Sequence, residues 1–99
     1  MFKFTRKATV VNAADLPAAI GWAMEVNGYL KKTYQIDVTA GVELFGTPTV
    51  HWYFETDSLD KISALNQKML QDKTYVALLE KARQLWLAGT MKDEIVQLP

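Results

Sequence analysis

The run Thr49–Thr56 leads directly into a helix-start signal, and this junction constrains the fold more than any other stretch of the chain. Its eight residues are mostly β-branched or aromatic, which is typical of a strand. Asp57 and Ser58 follow at once, and either side chain can cap a helix that begins at Leu59. The run also holds the single histidine of the chain and one of its three tryptophans.

Three more strands are predicted, and alternating apolar and polar residues indicate the first two of them. Phe2–Val11 has an apolar face that is interrupted by Arg6. Ile36–Phe45 alternates in the same way, and the turn Gly46-Thr47-Pro48 joins it to the opening run as a hairpin. Met91–Leu98 is the last predicted strand.

Helical spacing predicts a first helix after Asp15, whose carboxylate can cap it, with Pro17 in the first turn. Gly21 and Gly28 would give this helix a smooth surface for the close approach of another element. Trp22 and Tyr29 lie on a flank of its core-facing stripe, which consists of Leu16, Ile20, Ala23, Val26, Asn27 and Leu30.

A second helical region follows Ser58, and Asp72 is a second cap signal that predicts a break near Gln71. Gly89 is placed to end the region. Its predicted inner face consists of Leu59, Ile62, Leu65, Asn66 and Met69 before the break, and of Tyr75, Val76, Leu79, Ala82, Leu85 and Trp86 after it.

The element order is therefore β-α-β-β-α(α)-β. It predicts a single α+β domain over residues 1–99, with the ferredoxin-like βαββαβ arrangement of a four-stranded antiparallel sheet and helices on one face. The right-handed crossover rule puts the first and third strands in the centre of the sheet.

Composition narrows the function classes. Eleven basic and eleven acidic residues are interspersed, so we expect no nucleic-acid partner. The chain has no cysteine and one histidine, which excludes thiolate and multi-histidine metal sites within one chain and leaves carboxylate sites open. We expect no metal and no cofactor. No apolar run reaches the length of a membrane helix and no signal peptide is visible, so we expect a cytoplasmic protein.

Three segments carry a family likeness, namely the strand-to-helix passage Trp52–Leu59, the broken helix Met69–Tyr75 and the exit Leu85–Thr90. The chain as a whole resembles the dimeric α/β-barrel superfamily, in particular its small NIPSNAP-like and antibiotic-biosynthesis-monooxygenase-like members. The resemblance implies a homodimer whose two sheets pack face to face. In some members it also implies a cleft between sheet and helices for an aromatic or haem-like substrate.

Members of this superfamily include cofactor-free oxygenases, isomerases, decarboxylases, stress-response proteins and proteins without a known activity. The haem-degrading members use an asparagine on the first strand, a tryptophan on the third strand and a histidine on the last helix. Trp52 corresponds to the tryptophan of this set, but the first strand has no central asparagine and His51 is on the third strand. This departure argues against haem degradation.

Arg6 is the first candidate site residue, because alternation places its guanidinium on the apolar face of a central strand. An unpaired buried charge is costly, so we predict a carboxylate partner, Asp93 first and Glu25 as the alternative. The simpler interpretation is a structural ion pair. The functional one is a ligand-binding arginine that Asp93 orients at the floor of a cleft.

Two further groups are candidates. His51 and Tyr53, with Glu55, share the other face of the third strand and could serve as general base and oxyanion donor. Alternatively, they form a polar dimer interface and pair with Lys3, Lys7, Asp37 or Glu43. Trp22, Trp52 and Trp86, with Tyr29 and Phe54, could line an aromatic ligand pocket, or simply form core.

Two functional hypotheses remain open. One is a small-molecule enzyme, oxygenase- or isomerase-like, acting on an aromatic or anionic substrate between sheet and helices. The other is a non-catalytic homodimeric ligand-binding or interaction module. A cavity beside Arg6 is the observation that bears most directly on the first.

Overall fold

The computed structural model describes residues 1–43 and 45–99, where three helices cover one face of a four-stranded antiparallel sheet. The strands are β1 (Phe2–Thr9), β2 (Thr39–Val42), β3 (Thr49–Thr56) and β4 (Lys92–Gln97). The helices are α1 (Leu16–Tyr34), α2 (Leu59–Gln71) and α3 (Lys73–Lys81), and a 3₁₀ turn at Ala13–Asp15 precedes α1. This architecture confirms the predicted α+β, ferredoxin-like class.

The strand order is β2-β3-β1-β4, so β1 and β3 occupy the centre as the crossover rule predicts. Arg6 of β1 lies opposite Trp52 of β3 and opposite Asp93 of β4. Phe4 lies opposite Phe54 and Ile95 in the neighbouring row. Both rows belong to the face that the helices cover, because successive side chains of a strand point to opposite faces.

The start of α1 differs from the prediction in its capping bond. Asp15 occupies the cap position, but its side chain makes no capping hydrogen bond. Asn12 does this instead at the preceding 3₁₀ turn, where its Oδ1 accepts a hydrogen bond from the Ala14 amide at 2.8 Å. The extra turn shifts the capping bond to the N-terminal side of the predicted position.

The core-facing stripe of α1 is also rotated from the predicted one. Ile20 is 39% exposed, whereas Ala19 is fully buried against Val10 and Val50. Small residues on this face let α1 approach the sheet closely. The same rotation moves Trp22 from the predicted flank into the core, where its indole Nε1 donates to the Leu78 carbonyl at 2.8 Å.

The predicted break between α2 and α3 is confirmed. Ser58 caps α2 by accepting from the Asp60 amide at 3.2 Å, and Asp72 caps α3 by accepting from the Thr74 amide at 2.9 Å. The inner face of α2 is looser than predicted, since Leu59 is 48% exposed and Met69 is the residue of α2 that is buried.

The prediction that the last helix extends to Gly89 was wrong. α3 ends at Lys81, and Leu78 rather than Leu79 is buried in its last turns. The following segment pairs with the end of β1 instead: the Val11 amide donates to the Leu85 carbonyl at 2.9 Å, and Val10 bridges Trp86. Long-range backbone hydrogen bonds thus override the helical spacing of Leu85 and Trp86, and β1 ends at Thr9 rather than Val11.

β2 is shorter than the predicted Ile36–Phe45. Gln35 adopts a left-handed conformation (φ 56°) at the end of α1, and the Ile36 amide donates to the Leu30 carbonyl at 3.4 Å. Because this amide bonds to a carbonyl of the helix, it is not available for a hydrogen bond in the sheet, and β2 begins later than predicted. Phe45 is exposed in a bend, and Leu44, which alternation placed in this strand, lies outside the described residues.

Substitution of Gly21 or Gly28 measures how much each glycine destabilises α1. A Cβ at either position would meet nothing within 4 Å in the described structure, so the surface predicted for close packing is open. We expect Gly21→Ala and Gly28→Ala each to raise the free energy of unfolding by about 0.5–1 kcal/mol in urea titrations, through helix propensity and the unfolded-state entropy.

Gly89→Ala is the matched control. Gly89 has φ +79°, which strains a residue with a Cβ, so this substitution should destabilise the protein although it also meets open space. Destabilisation by Gly21→Ala or Gly28→Ala would mean that another element packs on that surface in solution.

Candidate functional site

A cleft of about 630 Å³ lies between the helix-covered face of the sheet and helices α2 and α3. It exists because α2 covers the sheet loosely and buries little of itself. The floor carries the two strand rows Trp52–Arg6–Asp93 and Phe54–Phe4–Ile95. Its other walls are mainly apolar and include Trp22, Ile62, Leu65, Met69, Tyr75 and Trp86.

Arg6 and Asp93 form a two-point ion pair on the cleft floor. Arg6 Nε donates to Asp93 Oδ1 at 2.7 Å, and Arg6 Nη2 donates to Asp93 Oδ2 at 2.9 Å. The hydrogen bond to Asp93 is the main cause that raises the pKa of Arg6, against the opposing effect of burial. The first of the two predicted partners is therefore the one found, and Glu25 pairs with Lys81 at 3.0 Å instead.

The pair is accessible from the cleft, with side-chain exposures of 23% for Arg6 and 41% for Asp93. Asp93 occupies Nε and one Nη2 hydrogen of the guanidinium, whose fixed fork carries five N–H donors. The Arg6 guanidinium also lies 5.7 Å from the centre of the Phe4 ring. Arg6 therefore keeps N–H donors that Asp93 does not take, and Asp93 holds them in a fixed orientation beside an apolar cleft.

Tyr75 is a site residue that the sequence analysis assigned only to the helix core. It is buried at 7% exposure and lines the cleft from α3. Burial raises the pKa of its hydroxyl, and the neighbouring positive charge of Arg6 offsets part of the rise. Tyr75 therefore stays protonated at neutral pH as a hydrogen-bond donor. Helical spacing identifies its inward direction, but it cannot identify Arg6 as the strand residue that it meets.

Trp22, Trp52 and Trp86 come together at one side of the cleft, as the aromatic-pocket hypothesis requires. Their ring centres are 6.0 Å apart for Trp22–Trp52, 5.5 Å for Trp22–Trp86 and 5.3 Å for Trp52–Trp86, all with edge-to-face geometry. These contacts also tie α1, β3 and the segment after α3 together. The buried indole N–H of Trp52 has no hydrogen-bond partner among the described residues.

His51 and Tyr53 lie on the open face of the sheet and do not reach the cleft. His51 Nε2 is 2.9 Å from Glu43 Oε1, one of the predicted partners. The Lys3 ammonium lies 4.7 Å from the centre of the Tyr53 ring. Lys7 pairs with Glu94 at 3.3 Å on the same face. The structure therefore separates these two catalytic candidates from Arg6, Asp93 and the tryptophans.

A polar clamp at the helix break holds Tyr75 in place. Asp72 Oδ2 accepts hydrogen bonds from the hydroxyls of Tyr29 and of Tyr34, the latter at 3.0 Å. The Tyr29 ring stacks on Tyr75, with ring centres 6.1 Å apart and planes 21° from parallel. The clamp thereby fixes the start of α3, and the cleft wall with it, against α1.

The described ranges contain no cluster of three histidine, cysteine, aspartate or glutamate side chains that could hold a metal ion. The helices of the described structure also include none that is long and apolar enough to cross a bilayer.

No protein-family model matches the chain, and a search of the curated proteins found no match. Solved structures do match it. A NIPSNAP family protein of unknown function from Agrobacterium tumefaciens superposes with a TM-score of 0.79 at 19% identity, over 97% of this chain and 86% of that one. An uncharacterised NIPSNAP domain protein from Burkholderia xenovorans gives 0.79 at 14% identity, over 100% of this chain and 95% of that one.

A candidate antibiotic biosynthesis monooxygenase from Deinococcus radiodurans gives a TM-score of 0.70 at 10% identity, over 100% of this chain and 93% of that one. Identities this low show a shared fold. The resemblance to NIPSNAP-like and antibiotic-biosynthesis-monooxygenase-like proteins is thus confirmed for the fold.

The hydrogen bonds of the polar clamp make the stability of the fold depend on pH. The hydrogen bond from Tyr29 is the main cause that lowers the pKa of Asp72, and burial is the main cause that raises the pKa of Tyr29. A depressed carboxyl pKa stabilises the fold above about pH 4, and this contribution is lost as the pH falls below that value. A raised tyrosine pKa stabilises it up to about pH 10, and this contribution is lost at higher pH.

We therefore expect Tyr29→Phe to lower the urea midpoint at pH 7 and to differ less from the wild type at pH 2.5, because protonation of Asp72 as the pH falls removes the contribution of the Tyr29 hydrogen bond. Circular dichroism during urea titration at the two pH values measures the difference. Tyr34→Phe is the control, because it leaves the Tyr29–Asp72 hydrogen bond in place and should keep most of the pH dependence. An equal deficit of Tyr29→Phe at both pH values would contradict the assigned role of the clamp.

Proposed function

We propose that this protein binds a small aromatic molecule that carries an oxygen-containing polar group, in the cleft between the sheet and helices α2 and α3. The observation that carries the proposal is a largely apolar cavity of about 630 Å³ with one oriented ion pair, Arg6–Asp93, on its floor. Ligand pockets are typically 300–1,000 Å³, mostly apolar, with a few placed polar groups.

The aromatic walls support an aromatic ligand over an aliphatic one. Trp52 and Phe54 line the floor on β3, Phe4 lies beside them, and the Phe4 and Phe54 ring centres are 5.5 Å apart. Edge-to-face and offset contacts between rings contribute beyond the burial of area alone. A flat ring system between this floor and Met69 of α2 would keep the apolar part of the ligand out of water.

The polar group of the ligand would face Arg6 and Tyr75. Both are hydrogen-bond donors at neutral pH, and both line the same cleft. A ligand oxygen that accepts from them would be held in one orientation relative to the tryptophans. This arrangement favours recognition of one end of the ligand and tolerance toward the shape of its apolar part.

The same group of residues favours catalysis as the second candidate function. Two donors, Arg6 and Tyr75, can stabilise an oxyanion, and the Asp93 carboxylate beside them can accept a proton from the carbon next to a carbonyl. This is isomerase-like chemistry, and the enolate that it forms is also the species that a cofactor-free oxygenase would need. Deuterium exchange into the methyl group of 2-acetylnaphthalene, followed by NMR, separates an enzyme from a binding module that holds the ketone without exchange.

We also propose a homodimer through the open face of the sheet. Its side chains are mixed in charge and partly covered, and they already pair within the chain as Lys7–Glu94 and His51–Glu43. Neutralised charges cost less to remove from water than free ones, which supports a sheet-to-sheet contact there. His51 and Tyr53 are then interface residues in this proposal.

The binding proposal predicts that isothermal titration calorimetry with 2-acetylnaphthalene gives a saturable isotherm and that Arg6→Met weakens the affinity by about tenfold or more, through loss of a charged donor. Lys7→Met is the matched control, because Lys7 neighbours Arg6 on β1 but pairs with Glu94 on the opposite face. Equal weakening in both variants would show that the ligand does not bind beside Arg6.

The dimer proposal predicts a homodimer at micromolar concentration in sedimentation equilibrium. Tyr53→Glu should shift the protein toward monomer, since it places an added negative charge in the contact. Lys68→Glu on the exposed side of α2 makes a larger change of charge and should leave the dimer intact. A wild-type monomer would contradict the proposed contact.

A further inference from the structure

The charges that line the cleft balance. Among the described residues of its walls, Arg6 and Asp93 are the charged ones, and they neutralise each other in the two-point pair. Tyr75 is buried beside them and protonated at neutral pH. The cavity therefore holds hydrogen-bond donors without an excess positive charge.

An anionic ligand would meet a specific obstacle here. To reach the Arg6 guanidinium it must lie next to the Asp93 carboxylate or break the pair, and the surrounding walls are apolar. Like charges brought together beside these apolar walls repel each other, and the partial solvent exposure of the pair reduces this repulsion without removing it. Arginine recognises carboxylates best through its two-point fork, and Asp93 already occupies one such edge with Nε and Nη2.

A neutral oxygen acceptor avoids this obstacle. Asp93 leaves three N–H donors of Arg6 on Nη1 and Nη2; the Tyr75 hydroxyl lies close enough to Arg6 to accept from one of them, and it keeps its own hydrogen to donate into the same cavity. A ketone or quinone oxygen can accept from either without adding charge. The Asp93 carboxylate remains paired while it does so.

We infer that Asp93 is a specificity-determining residue, which makes the cleft select neutral aromatic ketones over aromatic carboxylates. The inference rests on the proposed ligand-binding function and narrows its ligand class. The carboxylate of Asp93 acts by occupying and neutralising Arg6, so an anion of the same shape finds no free positive charge.

Two probes of matched size test this inference, 2-acetylnaphthalene and 2-naphthoate, which differ in a methyl group against a charged oxygen. At pH 7.5 we expect calorimetry to give at least about tenfold tighter binding of the ketone to the wild type. Asp93→Asn keeps the side-chain size and removes the charge, so Arg6 becomes an uncompensated cation and the preference should reverse toward naphthoate.

Glu94→Gln is the matched control. Glu94 is the next residue on β4, but it pairs with Lys7 on the open face, so the ketone preference should persist in this variant. If Asp93→Asn does not fold, Asp93→Ser serves as the second charge-free variant, and the same reversal of preference is expected there.

Failure of this inference can be distinguished from failure of the proposed ligand-binding function. Naphthoate binding as tightly as the ketone in the wild type overturns the inference and leaves the ligand-binding function standing. An unchanged preference in folded Asp93→Asn also overturns it, because the discrimination then has another source. Binding of neither probe to the wild type overturns the proposed function and the inference together.

Discussion

The contact among Trp22, Trp52 and Trp86 is the interaction on which the rest of the structure depends. Three large rings with centres 5.3–6.0 Å apart join α1, the central strand β3 and the segment after α3. Bulky edge-to-face rings hold their neighbours at a fixed separation, since a packed interior does not compress. Helix α1 and the segment after α3 are therefore anchored to the sheet at this cluster, while α2, which carries little buried surface of its own, leaves the cleft open.

The Arg6–Asp93 pair can act as a binding group because it lies beside this open, apolar cleft. On a fully solvated surface such a pair would contribute little, because water screens both charges. Beside an apolar cavity it is an oriented neutral unit with donors left over, and the buried Tyr75 adds another. The clamp of Tyr29 and Tyr34 on Asp72 fixes the helix that carries Tyr75, so the polar end of the site depends on β1, β4, α1 and α3 together.

Local patterns were sufficient for the helix break at Asp72 and the face of each strand residue, since these depend on neighbours close in sequence. The strand order followed from the order of the elements and the crossover rule. The Arg6–Asp93 pair could also be predicted, because an arginine on an apolar face requires a carboxylate partner and the strand order places Asp93 on the neighbouring strand. The end of α3 could not be predicted from local patterns. It depends on the Val11 amide meeting the Leu85 carbonyl, a contact between residues far apart in the chain. Tyr75 was missed for the same reason, because helical spacing gives its direction but not its neighbour.

A crystal structure of the protein soaked with 2-acetylnaphthalene tests most directly whether the cleft beside Arg6 binds a neutral aromatic ligand. We expect the ring system between Phe54 and Met69, with the ketone oxygen within hydrogen-bond distance of Arg6 or Tyr75 and the Arg6–Asp93 pair intact. A cleft closed by the packing of α2 onto the sheet, or a ligand bound elsewhere with this cavity empty, would contradict it.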